Sequence, residues 1–176
     1  LNLSPDSVVK GLMQGVYADY NVAPWVTEKY NYSFLSGVAD QLKGSLPSMD
    51  RYHLAQVVLA MVQNRGYHVV NPPQLPVQTL VEGGDCDALS VLYATLLKNM
   101  GYDVALFYYR PGVLDPRMGH MLAGVALNDN ELPQDGKYEY VQYGGKKYYF
   151  AETTSVGWTI GQNSTGTAPS VVYAVN

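Results

Sequence analysis

The chain holds one cysteine, Cys86, and chemistry is best sought around it. It stands in Gly83-Gly84-Asp85-Cys86-Asp87 immediately ahead of an apolar run, so the spacing predicts it in the first turn of a buried helix. Free N–H groups and the helix dipole favour a thiolate there. Asp85 and Asp87 oppose ionisation by charge repulsion, so a nearby cation, most naturally an imidazolium, is needed to stabilise the thiolate. A cysteine that only packs is the competing reading, but a packing cysteine rarely sits between two acids. A lone cysteine also excludes an internal disulfide and a multi-thiolate zinc site.

Three histidines are available to answer it: His53, His68 and His120. His53 falls on the polar side of a predicted helix and His68 precedes Val69-Val70 in a loop or short strand, so both read as structural or solvated. His120 opens a predicted strand just after Gly119. A strand end facing a helix N-terminus brings two sequence-distant residues together without distortion. The third member of such a set is a carboxylate, and Glu152 follows Tyr148-Tyr149-Phe150-Ala151 in an otherwise apolar strand, where an acid is costly unless paired. A strand-end acid satisfied by its own neighbours is the alternative.

These residues need elements to hold them. Ser4-Pro5-Asp6 reads as a helix start, with Val8, Val9, Leu12, Met13 and Val16 at helical spacing as far as Tyr20. A weaker helix spans Ser33 to Lys43, and a stronger one capped by Ser48 or Asp50 runs to about Asn64. Pro72, Pro73 and Pro76 mark Tyr67 to Gly84 as an extended loop. The cysteine helix runs from Cys86 to Met100 and stops at Gly101. Strands are expected at Asp103–Arg110, His120–Leu127, Lys137–Tyr143, Lys146–Thr154 and Ser170–Val175, with Gly144-Gly145 as a two-residue hairpin turn. Helices first and adjacent strands afterwards indicate an α+β domain with a largely antiparallel sheet.

The 176 residues suit one domain, and 47% hydrophobic residues suit one core. Eleven Lys+Arg against 15 Asp+Glu give a net charge of −4, so no basic field exists to recruit nucleic acid or an anionic membrane. No apolar run approaches the ~18 residues of a membrane span. The chain opens at Leu1, and its 16 tyrosines and 15% charged residues suggest a weakly charged polar surface. Both features favour an exported or cell-surface fragment of a larger protein. Its oligomeric state is left open.

The stretch from Thr79-Leu80 through Gly84-Asp85-Cys86-Asp87-Ala88-Leu89-Ser90 to Gly101-Tyr102, then Gly119-His120, then Lys146-Lys147-Tyr148-Tyr149-Phe150-Ala151-Glu152-Thr153-Thr154 resembles the transglutaminase-like superfamily, a branch of the papain-like cysteine enzymes. The likeness covers roughly residues 50 to 160, and its cysteine motif is the most specific part. It implies a cysteine-bearing helix packed on an antiparallel sheet and a Cys86, His120 and Glu152 triad. It also implies acyl transfer through a thioester, either hydrolysing peptide bonds or joining a glutamine acyl group to an amine. The family's acid is usually Asp before Pro-Thr, and its histidine is commonly followed by Ala-Trp. Here Glu152 precedes Thr153-Thr154, and Met121-Leu122 follow the histidine.

On this resemblance, residues 49–176 are the catalytic core and residues 1–48 a helical extension packed on it. The oxyanion would be held by the Cys86 backbone N–H and a second donor, for which Gln78 is a candidate amide and an ordinary loop residue the alternative. Asp85 and Asp87 would hold calcium, as flanking acids do in some relatives, or simply start a solvated helix; no other cofactor is expected. The leading expectation is a cysteine peptidase or amidase acting on a protein or peptide. Its rivals are a crosslinking transglutaminase and a non-catalytic binding domain that keeps the fold. Trp25, Trp158 and the tyrosine-rich hairpin are read either as cleft-lining aromatics or as packing.

Overall fold

Carboxylates and prolines start the helices, because each meets the backbone N–H groups that a first turn leaves unpaired. In the computed structural model, which describes residues 20–175, α1 (Ala23–Val26) and α4 (Pro76–Glu82) have proline in the first turn. Glu28 accepts from the N–H groups of Tyr30 and Asn31 to open α2 (Lys29–Ser45). Asp50 accepts from that of His53 to open α3 (Arg51–Gln63), and Asp85 from that of Ala88 to open α5 (Cys86–Asn99). The helix expected before Tyr20 lies outside the described residues.

Five antiparallel strands follow: β1 (Val104–Tyr109), β2 (His120–Ala126), β3 (Tyr140–Tyr143), β4 (Lys146–Ala151) and β5 (Val171–Val175), in the spatial order β3-β4-β2-β1-β5. Gly144 and Gly145 join β3 to β4 with φ of +55° and +79°, the left-handed pair that a tight primed turn demands. The architecture is α+β, as the order of predicted elements implies.

α5 is the centre of the molecule. Every residue from Ala88 to Leu97 is buried, and the two polar ones bond internally, Thr95 Oγ1 donating to the Val91 carbonyl at 2.7 Å. One face of the sheet (Val104, Leu106, Met121, Ala123, Val125, Tyr149) packs with α5 and with Trp25, Leu35, Leu59 and Val62 of the other helices. Ala105, Phe107, Tyr109, Leu122, Tyr148 and Phe150 form a smaller cluster on the opposite face. β1 is therefore buried on both sides. Among the described residues, no helix is long and apolar enough to cross a membrane.

Two expectations change. The proline-rich stretch before Gly84 contains α4, because Pro76 at the first helical position has no N–H to lose and its ring pre-sets the backbone. That helix ends at Gly83, at φ +82°, where a Cβ would lie 2.5 Å from the carbonyl oxygens of Arg65 and Gly66. The weak second helix starts earlier and ends later than its apolar pattern, because Glu28 caps it and Asn31, Leu35 and Ala39 bury one face. On β2, the Phe107 ring lies across Gly124, where a Cβ would come within 2.4 Å of it. Gly124→Ala should therefore destabilise the fold by about 1–3 kcal/mol, read as a lowered urea midpoint; an unchanged midpoint would mean the ring moves freely.

Candidate active site

The N-terminus of α5 enters the sheet where two strands part. β2 and β4 pair from Ala126↔Tyr148 to Ala123↔Ala151 and no further. In the gap beyond, Ser90 on α5 donates to the Met121 carbonyl (3.2 Å) and bonds Thr153 Oγ1 (3.1 Å). Cys86 lies one helical turn before Ser90 on the same face, and its sulfur is hydrogen-bonded to the backbone amide of Met121. The nucleophile candidate is thus anchored to the residue that follows His120.

His120 and Glu152 meet at the same strand ends. The ring Nε2 donates to Glu152 Oε2 at 3.4 Å, with side-chain exposures of 23% and 4%. Glu152 is held from all sides. Ser164 Oγ donates to Oε2 at 2.5 Å, while the Thr154 N–H and hydroxyl donate to Oε1 at 2.8 and 2.6 Å. Burial alone would raise this carboxyl, but the bonds from His120, Ser164 and Thr154 outweigh it and pull it down to about 2. With Nε2 committed to the acid, Nδ1 is the ring nitrogen left for a proton from elsewhere.

The thiol is engaged by an acid of its own helix. It donates to Asp87 Oδ1 at 3.2 Å, and burial, followed by the charge of Asp87, pushes its pKa up. The helix dipole and the Met121 amide favour a thiolate, but desolvation and the adjacent acid win in this arrangement. Asp85 caps the helix, and burial followed by repulsion from Asp87 raises its carboxyl as well. Asp87 also accepts from the Tyr20 hydroxyl. Both calcium candidates thus have protein donors on their oxygens. Among the described residues, no group of three or more His, Cys, Asp or Glu side chains is arranged to hold a metal ion.

The remaining candidates are dispersed. Gln78 is exposed on α4 and donates to Glu82 Oε2 at 2.9 Å. The deeper amide is Gln74, which donates to the same oxygen at 3.0 Å and packs against Gly84 with its Oε1 unpaired. In the sequence Gln74 falls in the stretch that the prolines mark as an extended loop, and nothing there distinguishes it. His53 pairs with Asp50 on the surface at 2.7 Å, and His68 is exposed. Trp25, read as a possible cleft aromatic, is buried in the core at 2% exposure, because α1 turns it under α5. Trp158 is half-buried, and its carbonyl accepts from Gln63 at 3.0 Å. Tyr138, Tyr140 and Tyr149 line a hollow of about 270 Å³ with Asp129 and Lys147, apart from Cys86, His120 and Glu152. Ser164 and Thr154, which orient the acid, carried no sequence signal beyond their hydroxyls.

A buried cysteine heading a central helix, set into an antiparallel sheet beside a histidine strand, is the α+β arrangement of the papain-like cysteine-protease fold. The fold is similar to the crystal structure of a putative cysteine protease from Cytophaga hutchinsonii, with a TM-score of 0.52 and 12% identity over 99% of this chain. At that identity the likeness establishes the fold. This chain spans 55% of that protein's length. The sequence matches no protein-family model, and no curated protein matches it significantly.

Proposed function

We propose that the chain is a cysteine peptidase or amidase of the transglutaminase-like type, with Cys86, His120 and Glu152 as its triad. The observation that supports this best is the pairing of His120 with a buried, four-bonded carboxylate next to the strand residue that anchors the Cys86 sulfur. Glu152 holds the imidazole through Nε2, and Nδ1 takes the thiol proton as the sulfur swings from Asp87. The sulfur then attacks a substrate carbonyl, and the oxyanion is received by the Cys86 backbone N–H at the start of α5. His120 returns the proton to the leaving amine, and water resolves the thioester. Thiol, imidazole and carboxylate complete the scheme without a metal or organic cofactor.

The partner class is a protein or peptide. A net charge of −4 and the two carboxylates that flank the sulfur, Asp85 and Asp87, disfavour nucleic acid. Crosslinking would use the same three residues, with an amine in place of water. The thiol bond to Asp87 favours one rival specifically, a domain that keeps the fold without turnover. Incubation with a peptide library and, separately, with a glutamine-containing protein plus a labelled primary amine separates these readings by mass spectrometry. Cys86-dependent peptide cleavage is expected. Amine incorporation without cleavage would replace hydrolysis by crosslinking, and silence in both would favour the non-catalytic rival.

A further inference from the structure

Tyr20 lies over the candidate nucleophile. Its hydroxyl donates to Asp87 Oδ2, the carboxylate whose other oxygen accepts the Cys86 thiol. Its ring stacks on Tyr108, with centroids 4.7 Å apart and planes at 26°. Tyr108 is itself pressed on Gly119, where a Cβ would come within 2.8 Å of its ring, so the platform is backed by the turn that leads into His120. Tyr20 adopts φ +51°, alone among the described non-glycine residues. That conformation is unfavourable for a bulky residue, so its side-chain contacts must hold it. The fold does not need them: Tyr20 is 38% exposed, whereas Val22, Trp25 and Val26 just beyond it are buried and secure α1 in the core.

We infer that the Tyr108 ring and Asp87 form a subsite beside Cys86 for a flat side chain bearing a hydrogen-bond donor, such as tyrosine, and that the chain's own Tyr20 fills it until a substrate displaces it. This rests on the reading of Cys86 as the nucleophile. The ring stack recognises a planar group and the carboxylate recognises its donor. While Tyr20 is seated, Asp87 holds the thiol and water is kept from the sulfur.

The test is the rate at which iodoacetamide alkylates Cys86, read by intact mass, since the single cysteine makes the adduct unambiguous. Tyr20→Ala should alkylate about tenfold faster or more, the weight of one hydrogen bond to a charged carboxylate. Tyr20→Phe, which keeps the stack and loses the donor, should fall between that variant and the parent. N-acetyl-L-tyrosinamide should slow alkylation of Tyr20→Ala, while N-acetyl-L-alaninamide should not. A parental rate in Tyr20→Ala, or no protection by the tyrosine amide, overturns the subsite. Adding His120→Ala to Tyr20→Ala tests the underlying reading separately: the rate falls if Cys86 is the activated nucleophile, and an unchanged rate overturns that reading and the inference with it.

Discussion

Hydrolysis by the His120→Ala variant is expected to fall about 10²–10⁴-fold below the parent chain, on the peptide that the library identifies as the best substrate. The thiol is buried beside Asp87 and its pKa is raised, so it needs a base to give up its proton at neutral pH. Of the two other histidines, His53 is engaged by Asp50, and His68 is exposed, its backbone N–H bonded to the Gly84 carbonyl at 3.0 Å. Among the described ion pairs, Arg51 is held by Glu131, Lys146 by Asp103 and Lys147 by Asp129. His120 is partly exposed at a strand end, so its truncation should leave the fold intact, which circular dichroism checks. Undiminished hydrolysis by this variant would remove His120 from the mechanism.

The second large effect concerns Glu152. Its carboxyl is lowered from 4.5 to about 2 in the folded chain, equivalent to about 3 kcal/mol of preferential stabilisation of the charged form. A depressed carboxyl contributes this stability above its unfolded value and loses it as pH falls towards the folded one. The parent chain should therefore lose stability between about pH 4.5 and 2. Glu152→Gln, which keeps the shape but cannot ionise, should be less stable at pH 7 and lose less through that window. Asp50, Asp103 and Asp129 are also lowered, so the quantity to follow is the difference between the two chains in urea unfolding at each pH. A difference that stays constant from pH 7 to about 2 would show that the charge of Glu152 adds nothing to folding.

Much of the local structure was legible in the chain. Asp85 before an apolar helical run locates the start of α5, and Gly144-Gly145 between two tyrosine-rich strands locates the hairpin, because both signals act over a few residues. The cost of an unpaired acid after an apolar strand predicts that Glu152 has partners, and it has four bonds. The α4 helix was obscured by three nearby prolines, although the last of them begins it. The choice between cleft and packing for Trp25 was not legible, because a four-residue helix shows too little periodicity to reveal its buried face.

Composition and short-range pattern by themselves determined the α+β class, the helix that carries Cys86, the strand that carries His120 and the strand that ends just before Glu152, since propensity, capping and burial alternation act along the chain. The tertiary structure alone decided which hydroxyls orient the acid, that the thiol turns to Asp87, and that Tyr20 closes over both. Two of those contacts join residues 12 and 67 positions apart, Ser164 to Glu152 across a loop and Tyr20 to Asp87 across four helices. Such side chains carry no periodicity of their own. Their partners are chosen by where the packed helices and the splayed ends of β2 and β4 bring them, a property of the assembled core and not of any one segment.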